Sequence, residues 1–218
     1  MMEIIKMLFD FILHIDKHLA DIFTNYQELS YAILFLIIFV ETGLVIMPFL
    51  PGDSLLFATG ALIASTGTLN IYIVIPLLIL AAISGDNSNY FIGRYIGERV
   101  LKIKWISKIV KPEYIKRTEK YFEKYGSRTV VMARFIPIVR TVTPFVAGVG
   151  EMKYLVFLSY SIIGAILWIS GLTLLGYFFG NLEIVKNNFE IVVLTIIGIS
   201  ILPMIYQLVK SKFFATKS

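Results

Sequence analysis

The sequence predicts an all-α integral membrane protein: about four transmembrane helices, two oppositely oriented re-entrant hairpins in an inverted repeat, and an N-terminal amphipathic helix. Three observations lead there. Of 218 residues, 57% are hydrophobic and only 16% charged, against about a quarter charged in a soluble domain. The apolar residues gather in long runs. Two of those runs are interrupted midway by proline and charge. This composition excludes most nucleic-acid-binding and cytosolic-enzyme classes. The net charge of +5 reads as a topology signal rather than a polyanion-binding surface. The chain has no cysteine, so disulfides, thiolate nucleophiles and zinc–sulfur sites are excluded.

Residues 1–28 do not read as a cleavable signal peptide. Leu8, Ile12, Ile15, Leu19, Ile22 and Phe23 recur at helical spacing opposite Glu3, Lys6, Asp10, Asp16, Lys17, Asp21 and Glu28. That pattern fits an amphipathic helix lying at the membrane interface; an ordinary packed helix fits it equally. Residues 29–210 then make one membrane domain, and 211–218 a tail.

A spanning helix needs roughly 20 mostly apolar residues. Residues 154–179 and 189–209 qualify directly. A third span begins near Leu29 and runs to Glu41, and a fourth, about 69–84, tolerates Pro76 as a kink. Residues 42–67 are apolar but carry Pro48, Pro51, Gly52 and Asp53, while 129–150 carry Arg134, Pro137, Arg140 and Pro144. Irregular backbone at membrane depth survives only under cover of protein or in a watery cavity. Each stretch is therefore expected to be a hairpin that turns back at its proline-rich tip.

Charge distribution sets the topology. The connector 93–128 holds eleven basic and four acidic residues, which places it in the cytoplasm by the positive-inside rule. Lys210, Lys212 and Lys217 place the tail there too. An even number of crossings separates two cytoplasmic segments, and 154–179 with 189–209 supply both. Residues 129–150 must then dip in and return; were they to cross, the tail would lie outside. The same count run backwards brings 42–67 in from the outer face and leaves the N-terminus cytoplasmic. The two halves form an inverted repeat, with a site expected near the midplane where they meet.

Glu41, Asp53, Arg134 and Arg140 lie in apolar surroundings. Placed singly at the bilayer centre, each would cost about 2.5–3.5 kcal/mol, roughly 10–14 for the four. They must pair, face water or change protonation. One reading is structural, with two ion pairs locking the hairpins or Arg134 snorkelling to headgroups. The functional reading has Arg134 and Arg140 grip a phosphate through their planar forks. Glu41 and Asp53 then carry protons, a role suited to carboxylates held out of water.

Other features are less specific. Gly93–Gly97 and Gly176–Gly180 are small-xxx-small pairs that permit close helix packing and a homodimer, without demanding one. Arg94 is a candidate headgroup contact. Lys116 to Lys124, interleaved with Tyr121 and Phe122, reads as a surface helix facing anionic lipid or simply as a solvated one. Trp105 and Trp168 are interfacial or packing residues. The histidines, His14 and His18, both precede the membrane domain. A core histidine nucleophile or base is thus missing, and no clustered acidic motif supports the magnesium-dependent carboxylate mechanism that stays formally open; no catalytic residue, metal, cofactor or enzyme activity is expected.

Glu41 and Asp53 spaced as E-x11-D with FLPGDSLL, then GRYIG, then RFIPIVRTVTPFVAG, resemble the DedA family, bacterial relatives of the VTT-domain (SNARE-associated Golgi protein) scramblases. The likeness covers roughly residues 25–182. It implies that Glu41, Asp53, Arg134 and Arg140 match the family's essential acids and arginines, and that the fold is an inverted repeat with two re-entrant hairpins. It further implies lipid movement between leaflets, with dependence on proton motive force. The expected function is translocation of a polyprenyl monophosphate, such as undecaprenyl phosphate, across the cytoplasmic membrane, coupled to protons. Two alternatives stand beside it: a phosphatidylethanolamine flippase or scramblase, whose amine the acids would bind, and a proton-coupled cation or drug antiporter.

Overall fold

The computed structural model describes residues 26–43, 52–101, 112–180 and 182–183. Among these every regular element is helical: α1 (Gln27–Gly43), α2 (Gly52–Thr66), α3 (Ile71–Leu101), α4 (Pro112–Tyr125), a 3-10 turn (Gly126–Arg128), α5 (Thr129–Ala133), α6 (Pro137–Val149) and α7 (Tyr154–Phe179). Most of the 1–28 segment, Pro48, Pro51, Trp105, the 189–209 span and the tail lie outside the described residues.

α7 coincides with the expected segment 154–179. α3 does not stop at residue 84 but continues to Leu101, through Pro76. Past Ser84 its potential breakers are the isolated glycines Gly85, Gly93 and Gly97, each costing only about 1 kcal/mol relative to alanine. Two described stretches are long and apolar enough to cross a membrane, Ile71–Tyr95 and Tyr154–Phe179.

Residues 129–150 form a broken helix. α5 ends in a tightened turn, with the Phe135 and Ile136 amides donating to the Met132 and Ala133 carbonyls at 3.3 and 2.9 Å. Pro137 is the cause. A residue before proline is disfavoured in the helical region, and Ile136 adopts φ −122° and ψ 105°; Pro137 then opens α6, where a missing amide costs nothing. Pro144 requires a correction, because it lies inside α6 rather than at a tip. Seven residues past the break it is two turns into an established helix. There it withdraws one amide from the Arg140 carbonyl while the helix runs on. In the first stretch, Gly52 is the opening residue of α2.

The chain divides into two compact units, one including Pro51–Leu69 with the residues from Leu172 onward, the other Glu28–Leu50 with Asn70–Gly171. Within the first, α2 packs on the last turns of α7. A methyl on Gly60 would overlap the Thr173 carbonyl, and one on Gly176 would overlap the Phe57 carbonyl. Within the second, α6 packs on α3 in the same way, Gly148 against the Tyr90 carbonyl and Gly93 against the Phe145 carbonyl. The spacings agree: Phe57 and Gly60 match Phe145 and Gly148, while Thr173 and Gly176 match Tyr90 and Gly93. Each unit thus contains a reciprocal glycine contact that only a missing Cβ permits.

α4 lies beside α6. Its Phe122 packs on the cluster of Tyr90, Val130, Ala147 and Phe157, and the Thr129 hydroxyl donates to the Tyr121 carbonyl at 2.8 Å. Glu119, Lys120, Glu123 and Lys124 face outward. A cleft of about 480 Å³ opens here, lined by Phe122, Val146 and Met152 and by Glu119 and Glu123. None of the residues in the charge cluster described next lines it.

Candidate functional site: a buried charge cluster

The site begins where α1 meets α3. Gly85 presents no side chain to Thr42 and Gly43, and a Cβ there would overlap the Thr42 hydroxyl. This close approach sets Glu41 and Asp86, each one residue from the contact, into the interior. Glu41 is 1% exposed and Asp86 5%. Asn89, one turn beyond Asp86, ties the helices together. Its amide donates to the Thr141 carbonyl of α6 at 2.8 Å and to the Thr42 carbonyl of α1 at 3.4 Å.

The break before Pro137 delivers the bases. Arg134 caps the C-terminus of α5, and Arg140 lies one turn into α6. Arg140 donates through Nη2 to Oε1 of Glu41, a buried ion pair. Arg134 donates through Nη2 to Oδ2 of Asp86, a second one. The same carboxylate oxygen accepts the Ser161 hydroxyl of α7 at 2.6 Å, and Nη2 of Arg134 also lies 3.3 Å from the Ser161 carbonyl. Trp168 of α7 lies near both arginines. The Arg140 guanidinium is 4.8 Å from its ring centroid and that of Arg134 is 6.0 Å away, both within cation–π range. Gly164 makes room for the Arg134 stem, since a Cβ there would come within 2.8 Å of its Cδ and Nε.

Among the described residues of this unit the two pairs set two carboxylates against two guanidiniums, and α5 and α7 carry no charged residue. Buried pairs of this kind break even against apolar packing, but removing one partner costs about 3–5 kcal/mol. Two guanidiniums with buried walls and an aromatic face are equipped to exchange carboxylate for phosphate oxygens. Among the described residues no group of three His, Asp or Glu side chains is gathered as a metal would need.

Of the residues expected from the sequence, Glu41, Arg134 and Arg140 come together. Arg134 does not snorkel, being 5% exposed. Asp53 belongs to the other compact unit, where it lies half-buried in the first turn of α2, a position the helix dipole favours for an acid. Arg94 is exposed and donates to the Tyr90 hydroxyl at 2.9 Å. That hydroxyl in turn donates to the Met152 carbonyl. Sequence reasoning missed Asp86. The available signal was a lone acid followed by asparagines, in SGDNSN, directly after an apolar run.

The VTT domain family model matches residues 50–178. Protein DedA of Escherichia coli (strain K12) is 48% identical over 218 residues, covering 100% of this chain and 99% of that protein. An uncharacterized membrane protein of Mycobacterium leprae (strain TN) is 46% identical over 77% of this chain and 74% of its own length. The inner membrane protein YqjA of Escherichia coli (strain K12) is 37% identical over 69% and 68%. No solved structure matches. With its two long apolar helices and a family model covering more than half its length, this chain is a multi-pass membrane protein and a member of the DedA family of VTT-domain proteins.

Proposed function

We propose that the protein is a lipid translocator of the cytoplasmic membrane that returns a polyprenyl monophosphate, such as undecaprenyl phosphate, across the bilayer in a proton-coupled cycle. Membrane transport is the general activity of its family. The observation that carries the specific reading is the pair of buried arginines, each held by a carboxylate and both against Trp168. Arg134 and Arg140 grip the phosphate. Glu41 and, from the family resemblance, Asp53 carry protons that reset the arginines. The isoprenoid tail stays in the bilayer, so a small protein need shelter only the headgroup.

The proposed membrane arrangement has about four crossings, hairpins entering from opposite faces at about 42–67 and 129–150, and both termini in the cytoplasm. The matched glycine contacts of the two units support the repeat. Arg94 and the bases of α4 contact anionic headgroups, and the small-residue faces allow a homodimer.

Because the cluster offers both charges, a zwitterionic headgroup is the reading to test against. Purified protein in vesicles is assayed for leaflet exchange of polyprenyl phosphate and of phosphatidylethanolamine, and for cation-dependent proton flux. Exchange of the phosphate lipid supports the proposal. Exchange of phosphatidylethanolamine alone, or proton flux without lipid movement, moves the function to one of the two alternatives.

A further inference from the structure

We infer that Asp86 is the proton-carrying acid of Arg134, and that binding of a dianionic phosphate at the cluster takes up two protons, one on Glu41 and one on Asp86. The inference rests on the phosphate-lipid reading and sharpens it. It starts from charge. Among the described residues of this unit, Glu41 on α1, Asp86 on α3, Arg134 in the break and Arg140 on α6 sum to zero; α7 adds only the neutral Ser161 and Trp168, and Asn89 is neutral too. A phosphate monoester brings a charge of about −1.5 to −2 at neutral pH. Seated among these groups with both carboxylates ionised, it would leave the buried cluster with nearly that whole charge uncompensated, which a low-dielectric site does not sustain.

The arginines are already occupied. A phosphate oxygen that takes Arg140 displaces Glu41, and one that takes Arg134 displaces Asp86. Each displaced carboxylate loses the arginine it was paired with. One proton on each returns the cluster to neutrality, with two positive guanidiniums facing one dianion. Asp86 is built for both states. Ser161 donates its hydroxyl to the ionised carboxylate at 2.6 Å, and the same hydroxyl can turn to accept the proton of the carboxylic acid. The phosphate thus enters with two protons and leaves with two, and no net charge moves.

Binding of a short-chain polyprenyl monophosphate to the full-length protein in nanodiscs is measured from neutral to alkaline pH, where the headgroup is dianionic. Each coupled proton weakens apparent affinity about tenfold per pH unit. Wild type should therefore lose about a hundredfold per unit. Asp86→Asn, a permanent mimic of the neutral acid, should lose about tenfold per unit and bind more tightly than wild type at the alkaline end. An unchanged slope in Asp86→Asn would mean that Asp86 merely braces Arg134, and a slope that falls in Asp53→Asn instead would assign the second proton there. Should Asp86→Asn not fold, calorimetry of wild type in buffers of differing ionisation enthalpy counts the protons directly; an uptake of one overturns the inference. Absence of wild-type binding at every pH is a different failure, that of the phosphate-lipid reading itself.

Discussion

Arg134 and Arg140 are six residues apart, yet their positions are set by different means. Arg134 sits in the turn that Pro137 enforces, and Arg140 on the helix that Pro137 opens. Their acids come from α1 and α3, far away in sequence, so the two pairs act as cross-links between elements. Glu41→Ala removes one partner of a buried ion pair and should destabilise the protein by about 3–5 kcal/mol. The double variant Glu41→Leu/Arg140→Met should cost clearly less than Glu41→Ala alone, as read by thermal unfolding in detergent; a double variant as unstable as the single one contradicts the pairing. Gly164→Ala tests the other arginine. A methyl there presses on Cδ and Nε of Arg134, so transport should fall sharply while destabilisation stays within the 1–3 kcal/mol typical of overpacking. The sequence showed that four charges needed partners, and it named three members of the cluster. Asp86 escaped because the apolar span was closed at residue 84, two positions short. The hydropathy pattern weakens there, while the helix continues on backbone hydrogen bonds that composition does not report.

Among the elements, α3 with α6 and α2 with α7 show how glycine sets interhelical distance. Gly93 and Gly148 bring two backbones together at van der Waals range, and Gly60 and Gly176 do the same in the other unit. Dispersion between closely packed backbones, rather than expulsion of water, drives such association in lipid. Gly148→Leu should separate α6 from α3 and lower the unfolding temperature markedly. Gly171→Ala on α7, where a methyl meets no atom within 4 Å, should be neutral or slightly stabilising. Equal effects from the two substitutions would refute the contact. Gly93 and Gly176 were legible as members of small-xxx-small motifs, but Gly148 and Gly60 opposite them were not, since GRYIG does not reveal that Phe145 covers it. Pro144 marks another limit. Proline spacing marked Pro137 and Pro144 alike and could not tell the helix-opening proline from the one two turns inside the helix.

For the whole molecule, the helix of each proline-interrupted stretch packs on the long helix that follows the other stretch: α2 on α7, α6 on α3. The halves are interlocked through sequence order, so neither holds its own partner. Cutting the chain within 102–111 and expressing each half alone should give proteolysed, unfolded products, whereas co-expression should restore a purifiable complex. A stable lone N-terminal half would refute the interlock. The all-α membrane class was legible because 57% apolar residues in runs of helical length leave few alternatives in a bilayer. The pairing of helices across halves was not, because it depends on long-range backbone contact.

Leaflet exchange of a polyprenyl monophosphate by the reconstituted protein, compared among wild type, Arg140→Ala and Arg140→Lys, tests the central claim most directly. Wild type should exchange the lipid, Arg140→Ala should lose exchange at least a hundredfold, and Arg140→Lys should recover only a small part, because a point charge does not replace the fork. Full exchange by a correctly folded Arg140→Lys, or by Arg140→Ala, would contradict phosphate recognition at this cluster.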